Sequence, residues 1–304
     1  MSVNTQDINN KTLIVITGPT GIGKSATAID LAQRLSTEII SADSRQVYKG
    51  IPIITAAPTE EERSIVPHHL VDFLELDEYY SASLFEQQAL SLLDQIFRRS
   101  DYAVVCGGSM MYVDAVCNGL DNIPTVSDEV RAQAYSILEN EGLEGVSRRV
   151  AEIDPEYYAI ADKQNAKRLV HALEIYMHSG KTFSSFRTGA KKQRPFHIHK
   201  FVLNTPREEL FARINSRVDK MVELGLEQEA RNVYHLRHLN SLNTVGYKEM
   251  FAYFDGTMDF NTACERLKKN TRVYAKKQLT WYAKDPDVIN LHPSTATEEI
   301  LKLI

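Results

Sequence analysis

The sequence predicts an α/β fold with a P-loop NTPase-like parallel sheet core that is flanked by helices and carries an all-helical insertion domain. Three observations predict it. A β-branched run at 12–17 leads directly into a glycine-rich turn and then into a helical stripe at 26–35. Further strand-like and helix-like segments alternate up to residue 119. Between 120 and 196 the strand signal almost disappears, and only helical periodicity remains.

The individual elements follow in order along the chain. Short apolar runs predict strands at 12–17, 38–41, 69–73, 102–106 and 201–203. Apolar stripes at helical spacing predict helices at 26–35, 81–98, 166–177 and 262–283, and a capping box of Thr205 and Glu208 opens one more. We therefore expect a P-loop catalytic core made of 1–119 and 197–304. The helical insertion domain, 120–196, includes most of a basic loop, 181–200.

Composition places the chain among ordinary globular proteins. Of its 304 residues, 43% are hydrophobic and 25% are charged, with a formal net charge of −5. This balance excludes intrinsic disorder, and we expect no membrane association because no apolar run approaches about 18 residues. The three cysteines have no metal-ligand spacing, and the polar start lacks the pattern of a signal peptide. We therefore expect a cytoplasmic enzyme with reduced thiols.

The strongest chemical signal is a glycine-rich loop that follows the first strand. It matches the pattern G-x-x-x-x-G-K-[ST] with Gly18, Pro19, Thr20, Gly21, Ile22, Gly23, Lys24 and Ser25. In such a loop the backbone N–H groups and a helix N-terminus bind phosphate oxygens. Lys24 would reach the outer phosphate oxygens, and the hydroxyl of Ser25 would bind Mg²⁺. The sequence therefore predicts a site for a diphosphate or triphosphate with Mg²⁺ as the cofactor.

The loop alone leaves the reaction open. A small-molecule kinase is the usual owner of such a loop, whereas a GTPase would need an N-K-x-D motif, which is absent. An ATPase motor would need an acid after an apolar strand, but 104–106 is followed by Gly-Gly-Ser. At the end of the second strand, Asp43 lies in the segment 41–48, at the sheet edge where ligands bind. Its carboxylate could take a proton, hold a metal or cap a turn.

The motifs at 18–25, 41–48 and 107–112 together resemble those of the P-loop tRNA dimethylallyltransferases. Further matches follow in the family's order at 165–180, 225–231, 245–250 and 269–281. The resemblance covers about residues 13 to 291. It departs at 54–58, where the family's usual Gly and Lys are missing, and at Ser109, where the family usually has Thr.

The resemblance implies a specific reaction. The dimethylallyl group of dimethylallyl diphosphate would be transferred to N6 of the adenosine 3′ of the tRNA anticodon. Asp43 would take the N6 proton, Arg217 would stabilise the leaving diphosphate, and Ser109 would hydrogen-bond near the bridging oxygen or the base. The implied tRNA-binding residues are Asp43, Ser44, Arg45, Gln46, Asn165, Lys167, Arg168, Tyr247 and Lys248. The expected partners are the tRNA anticodon stem-loop and dimethylallyl diphosphate, and the chain is expected to be a monomer.

Other functions remain as alternatives. One is an adenylate isopentenyltransferase that acts on free nucleotide, and another is a P-loop small-molecule kinase with 181–200 as its lid. The helical insertion and the basic runs 181–200 and 262–284 disfavour the first, because a free nucleotide needs no RNA-binding surface. A non-catalytic RNA-binding protein is disfavoured by Asp43. On the helix that carries Arg217, the neighbouring Arg213 and Lys220 are expected to be solvent-exposed or structural.

Overall fold

The computed structural model describes residues 10–304 of the chain. This part falls into two compact units, one formed by 10–118 together with Gln193–Ile304 and the other by Gly119–Lys192. No helix of the described residues is both long and apolar enough to span a membrane.

The first unit is built on a six-stranded sheet whose strands are all parallel. The strands are β1 (Thr12–Thr17), β2 (Ile39–Ser41), β3 (His68–His69), β4 (Tyr102–Cys106), β5 (His197–Leu203) and β6 (Val288–Leu291). They lie in the order β3-β2-β4-β1-β5-β6, with β1 between β4 and β5. The order is not sequential, so the strands are joined by crossovers that carry helices over the two faces of the sheet.

Helices surround this sheet. Before the insertion they are α1 (Lys24–Arg34), α2 (Pro52–Thr55), α3 (Glu60–Ile65), α4 (Ala82–Phe97) and α5 (Met110–Asn118). The second unit contains α6 (Asp128–Ile153), α7 (Pro155–Ile160), α8 (Ala166–Ser179) and α9 (Phe183–Phe186). After it come α10 (Arg207–Glu223), α11 (Leu226–Val233), α12 (Tyr247–Phe254), α13 (Phe260–Tyr282) and α14 (Ala296–Leu303).

The apolar run of β1 is continuous because both faces of this strand are buried. Ile14 and Ile16 pack against α1, α10 and α14, whereas Leu13 and Val15 pack against α4 and α5. A further core beside the sheet joins α10, α11, α12 and α13 to the segment 47–56, which follows β2. This further core places α10 and α13 next to the loops that leave the sheet.

All regular secondary structure of the second unit is helical, and it lies between residues 128 and 186. Its core brings Val146 and Val150 of α6 against Leu169 and Leu173 of α8. Helix α6 is interrupted at Gly142, whose backbone is not helical (φ 68°, ψ −174°). Helix α8 ends at Gly180 in the left-handed conformation, as its sequence predicts.

The expected fold class is confirmed, and the predicted elements differ from the observed ones mainly at their ends. β5 begins four residues before the predicted 201–203 run. The unpredicted elements of the first unit are β6, α2, α3, α5, α11, α12 and α14. The strand predicted at 69–73 is wrong beyond His69, because the chain turns there with positive φ at Leu70. The predicted capping box is also wrong. Pro206 is the N-cap of α10, and the Thr205 hydroxyl instead donates to Glu209 Oε2 at 2.6 Å.

Candidate active site

Three loops meet at the carboxyl edge of the sheet, because neighbouring parallel strands end on the same side. They are the glycine-rich loop after β1, the segment 42–46 after β2 and the segment 107–109 after β4. The last two are joined directly, since Ser109 N donates to Ala42 O at 3.1 Å and Ser109 Oγ accepts from Ser44 N at 2.8 Å. The structure therefore brings the P-loop sequence, Asp43 and Ser109 to one edge.

The glycine-rich loop is packed tightly against the sheet. Gly18 has a φ of +138°, and a Cβ there would lie 2.6 Å from Leu203 O of β5, so only glycine fits. Lys24 Nζ donates to the carbonyl oxygens of Gly18 (3.1 Å) and Pro19 (2.9 Å). The N-cap of α1, Gly23, provides no side-chain cap, which leaves N–H groups of the first helical turn available to an anion.

Two arginines of α10 contact this loop. Arg217 Nη1 donates to Thr20 Oγ1 at 3.2 Å, and Arg213 Nε donates to Gly21 O at 3.2 Å. Arg217 therefore does not lie on a solvated helix face. Arg213 keeps 42% of its side chain exposed but is anchored on the loop, a contact that the sequence did not predict. Lys220 is exposed, as expected.

The electrostatics of the site are those of a cationic pocket beside one carboxylate. The pKa of Lys24 is lowered to about 8, mainly by burial; Cys106 and Asp43 act to raise it, whereas Arg217 acts to lower it. Burial also lowers the pKa of Arg217, while Asp43 raises it. An arginine stays charged at any physiological pH. Two desolvated cations therefore face the loop, and this arrangement favours a multiply charged anion.

One carboxylate oxygen of Asp43 caps a turn, and the other is available to a substrate. Its Oδ1 accepts from the backbone N–H groups of Arg45 (2.8 Å) and Gln46 (3.3 Å), which is the turn-capping role that the sequence left as an alternative. Within residues 10–304, no group donates a hydrogen bond to Oδ2. The capped turn thus holds the carboxylate in place with one oxygen able to receive a proton.

The side chains that follow Asp43 are already held by the protein. Gln46 Nε2 donates to Thr55 O (3.2 Å) and Ala56 O (2.9 Å), while its Oε1 accepts from Ser41 Oγ (2.9 Å). Both amide hydrogens of Gln46 are therefore used inside the fold, and its expected RNA contact stays a prediction. Arg45 Nη1 donates to the carbonyl oxygens of residues 240 and 241, which fixes its guanidinium on the neighbouring loop.

A further residue that was expected to contact RNA, Tyr247, lies in the core. Tyr247 is 0% exposed, and its hydroxyl donates to Glu229 Oε1 at 2.9 Å. Glu229 accepts in addition from Ile53 N (2.6 Å) and Ile54 N (2.9 Å) of α2. Burial raises the pKa of Glu229, although all three hydrogen bonds lower it. The tyrosine therefore holds α2 through a buried carboxylate, whereas the adjacent Lys248 is exposed.

Other cations divide into anchored and exposed groups. In the run 181–200, Arg194 is paired with Glu86 in the interior and Lys200 with Asp285, so neither forms part of an exposed basic surface. On α13, Lys268 is paired with Asp219 and Glu265. The exposed cations of α13 are Arg266, Lys269, Lys276 and Lys277.

The RNA-binding residues expected in the second unit lie at the start of α8. Asn165 is its N-cap, and its Oδ1 accepts from Arg168 N at 3.2 Å. The side chains of Lys167 and Arg168 are exposed in the first turn. The cap fixes the start of α8 and therefore the positions of these two side chains on its first turn.

One buried side chain at the site was not predicted from the sequence. Gln278 of α13 contacts both the glycine-rich loop and the segment after β4. It lies within the family match at 269–281, but the residues themselves gave no signal of burial, because a glutamine that follows two lysines is typical of a solvated face. The parallel sheet, the uncapped helix start and the cationic loop define the class: a P-loop α/β protein with a candidate anion-binding site.

Comparison with known proteins narrows this class. The family model described as IPP transferase matches residues 46–285. The tRNA dimethylallyltransferase 1 of Bacteroides thetaiotaomicron is 51% identical over 294 residues, which are 96% of both chains. The crystal structure of the tRNA isopentenylpyrophosphate transferase of Bacillus halodurans has a TM-score of 0.71 and 34% identity, covering 96% of this chain and 95% of that one.

A eukaryotic dimethylallyltransferase whose structures show it acting on tRNA has a TM-score of 0.83 and 29% identity. That comparison covers 97% of this chain and 78% of the eukaryotic one. The chain belongs to the IPP transferase family and is a transferase. The resemblance found in the sequence motifs is thereby confirmed.

Proposed function

We propose that this chain transfers the dimethylallyl group from dimethylallyl diphosphate to N6 of the adenosine 3′ of the anticodon in tRNA. The names of its relatives support tRNA as the substrate. The observation that carries the proposal is the placement of an open carboxylate oxygen, Asp43 Oδ2, at the same sheet edge as the cationic glycine-rich loop. Such a site can bind a diphosphate and accept a proton in one reaction.

The diphosphate would be bound by the loop and by the two desolvated cations. Backbone N–H groups of the loop other than those of Thr20 and Ile22, which are already hydrogen-bonded, would bind its oxygens together with those at the start of α1. Lys24 and Arg217 would supply positive charge. As the bond between C1 and the bridging oxygen breaks, negative charge collects on the leaving diphosphate. Fixed positive charge in a desolvated site stabilises that charge most where it develops, in the transition state.

Asp43 would act as the base. As the exocyclic N6 attacks C1, the new N6–C1 bond forms and the N6 proton passes to Asp43 Oδ2, so the product is a neutral secondary amine and a diphosphate. Ser109 Oγ accepts a hydrogen bond from Ser44 N and donates none within residues 10–304, so its hydrogen could be donated to the bridging oxygen or the adenine edge. These roles fit the joined geometry of the segments 42–46 and 107–109.

The site also fits Mg²⁺. Mg²⁺ prefers oxygen ligands, keeps several waters and is usually held by one or two protein groups together with substrate phosphates. The exposed hydroxyl of Ser25 offers such an oxygen at the loop, and no group of three or more potential protein ligands occurs within residues 10–304. Ser25 and the diphosphate would hold the ion, which when bound would neutralise charge on the leaving group.

We propose that residues 1–119 and 197–304 form the catalytic core and that the helical segment 120–196 contributes RNA contacts. The candidates are Ser44 and Arg45 beside Asp43, Asn165, Lys167 and Arg168 at the start of α8, and Lys248. The exposed cations of α13 would add phosphate contacts, which raise affinity without sequence specificity.

Mass spectrometry of the reaction products tests the proposal. Unmodified anticodon stem-loop RNA, incubated with the chain, Mg²⁺ and dimethylallyl diphosphate, should gain one C5H8 unit on the adenosine 3′ of the anticodon. Parallel reactions with AMP, ADP or ATP as acceptor test the free-nucleotide alternative, and ATP with a metabolite mixture tests the kinase. Prenylated free nucleotide without prenylated RNA, or phosphorylated metabolite, would contradict the proposal.

A further inference from the structure

We propose that Gln278 is a positioning residue of the transfer reaction, which holds the diphosphate loop in register with the segment that carries Ser109. The inference rests on the function proposed above. It starts from a buried amide that touches both loops: Gln278 is only 1% exposed on a helix that otherwise carries many exposed cations.

Both ends of the amide are used, and each end reaches a different loop. Gln278 Oε1 accepts from the backbone N–H of Thr20 at 2.9 Å, and Gln278 Nε2 donates to Gly108 O at 2.8 Å. The first partner lies in the loop after β1 and the second follows β4. An apolar side chain of the same size could fill the space, but it would leave the Thr20 N–H and the Gly108 carbonyl unpaired.

The glycine at position 108 makes this link possible. A Cβ on Gly108 would lie 2.5 Å from Gln278 Nε2, a distance that no real contact tolerates, so the amide would have to move. The same Cβ would lie 3.5 Å from Lys24 Nζ and 3.6 Å from Gly18 O, which are ordinary van der Waals distances. The space at Gly108 is thus taken up by the Gln278 amide.

Each end of the link adjoins a side chain with a proposed role in the reaction. Thr20 accepts from Arg217 through its Oγ1, and Ser109, which follows Gly108, accepts from the N–H of Ser44 beside Asp43. A shift between the two loops would therefore move the leaving diphosphate relative to the base. A misplacement of about 1 Å between reacting groups can slow a reaction by about 100-fold.

The experiment uses the variants Gln278→Ala and Gly108→Ala, singly and combined, in the full chain. Because either substitution breaks the same link, we expect each single variant to lower kcat by ~10–100-fold, with tRNA affinity within about twofold of wild type. In the Gln278→Ala background the clash at Gly108 no longer exists. Adding Gly108→Ala there should change kcat by less than about twofold.

Two further measurements separate this role from a loss of helix stability and from the reaction itself. Asn270→Ala removes another amide contact of α13, with Glu249, away from both loops, and should leave kcat close to wild type. Calorimetry with inorganic diphosphate measures binding to the loop without any transfer step, and Gln278→Ala should weaken this binding by about 3–10-fold.

Three results would overturn the inference. They are multiplicative kcat losses in the double variant, an equal kcat loss in Asn270→Ala, and unchanged diphosphate binding in Gln278→Ala. A wild-type chain that transfers no prenyl group, but whose diphosphate binding weakens in Gln278→Ala, would instead reject the proposed reaction and retain the link between the loops.

Discussion

Tyr247 tests whether a residue of a family motif binds RNA or stabilises the fold. Its motif implies RNA binding, whereas its buried position implies a structural role. The substitution Tyr247→Phe removes one hydroxyl and keeps the ring that packs against Phe251. The side chain is 0% exposed, so RNA cannot reach it without local unfolding. The structure therefore predicts an effect on stability and none on the RNA-bound state.

The size of the effect follows from the contacts of Glu229. Its two carboxylate oxygens accept three hydrogen bonds, at 2.6, 2.9 and 2.9 Å, and Tyr247→Phe removes one of them. A hydrogen bond to a charged group contributes about 1.5–3 kcal/mol to the free energy of unfolding. When the bond is lost, the buried Glu229 carboxylate keeps the cost of its desolvation with one hydrogen bond fewer to offset it. We expect the free energy of unfolding to fall by about 2 kcal/mol.

Urea denaturation and filter binding of tRNA measure the two quantities. The matched control is Tyr80→Phe, which also removes one tyrosine hydroxyl, but from an exposed hydrogen bond to Gln88 at 2.8 Å. The control should change stability by less than about 0.5 kcal/mol. The reasoning is refuted if Tyr247→Phe weakens tRNA binding several-fold while the free energy of unfolding stays at the wild-type value.

Three other predictions concern the reaction and its RNA surface. Asp43→Asn keeps the turn cap but cannot take a proton, so kcat should fall by ~10²–10⁴-fold with little change in tRNA affinity; near-normal turnover would remove Asp43 from the chemistry. Because Lys24 has a pKa of about 8, kcat/KM for dimethylallyl diphosphate should decline as the pH rises through that value and the ammonium loses its charge; a flat profile to higher pH would contradict this. Alanine substitutions at three exposed cations of α13 should make the slope of log K for tRNA binding against log salt concentration shallower by ~0.7–0.9 per lost contact. Lys268→Ala should leave the slope unchanged, because Lys268 is already ion-paired with Asp219. The three cations are Lys269, Lys276 and Lys277.

Local sequence was sufficient to predict an element wherever the residues that determine its structure are neighbours in the chain. The run Thr12–Thr17, the loop Gly18–Ser25 and the helix behind it were predicted nearly to the residue, because β-branched residues, glycines and an apolar stripe act over a few neighbours. The same holds for the C-cap at Gly180. In β6 the pattern failed, since four residues of mixed exposure carry little periodicity.

The sheet and the candidate anion-binding loop could be predicted from the chain alone, because buried strands and tight turns follow from residues that are close in sequence. The role of Asp43 as base rests on the family resemblance and stays a proposal. Which polar side chains are free to meet a substrate became known only from the folded arrangement. The side chains of Gln46 and Tyr247 are hydrogen-bonded inside the fold, and Gln278 contacts a loop that lies 258 positions away in the sequence. A donor or acceptor pairs with whatever the fold brings within hydrogen-bond distance, and spacing along the chain does not encode that proximity.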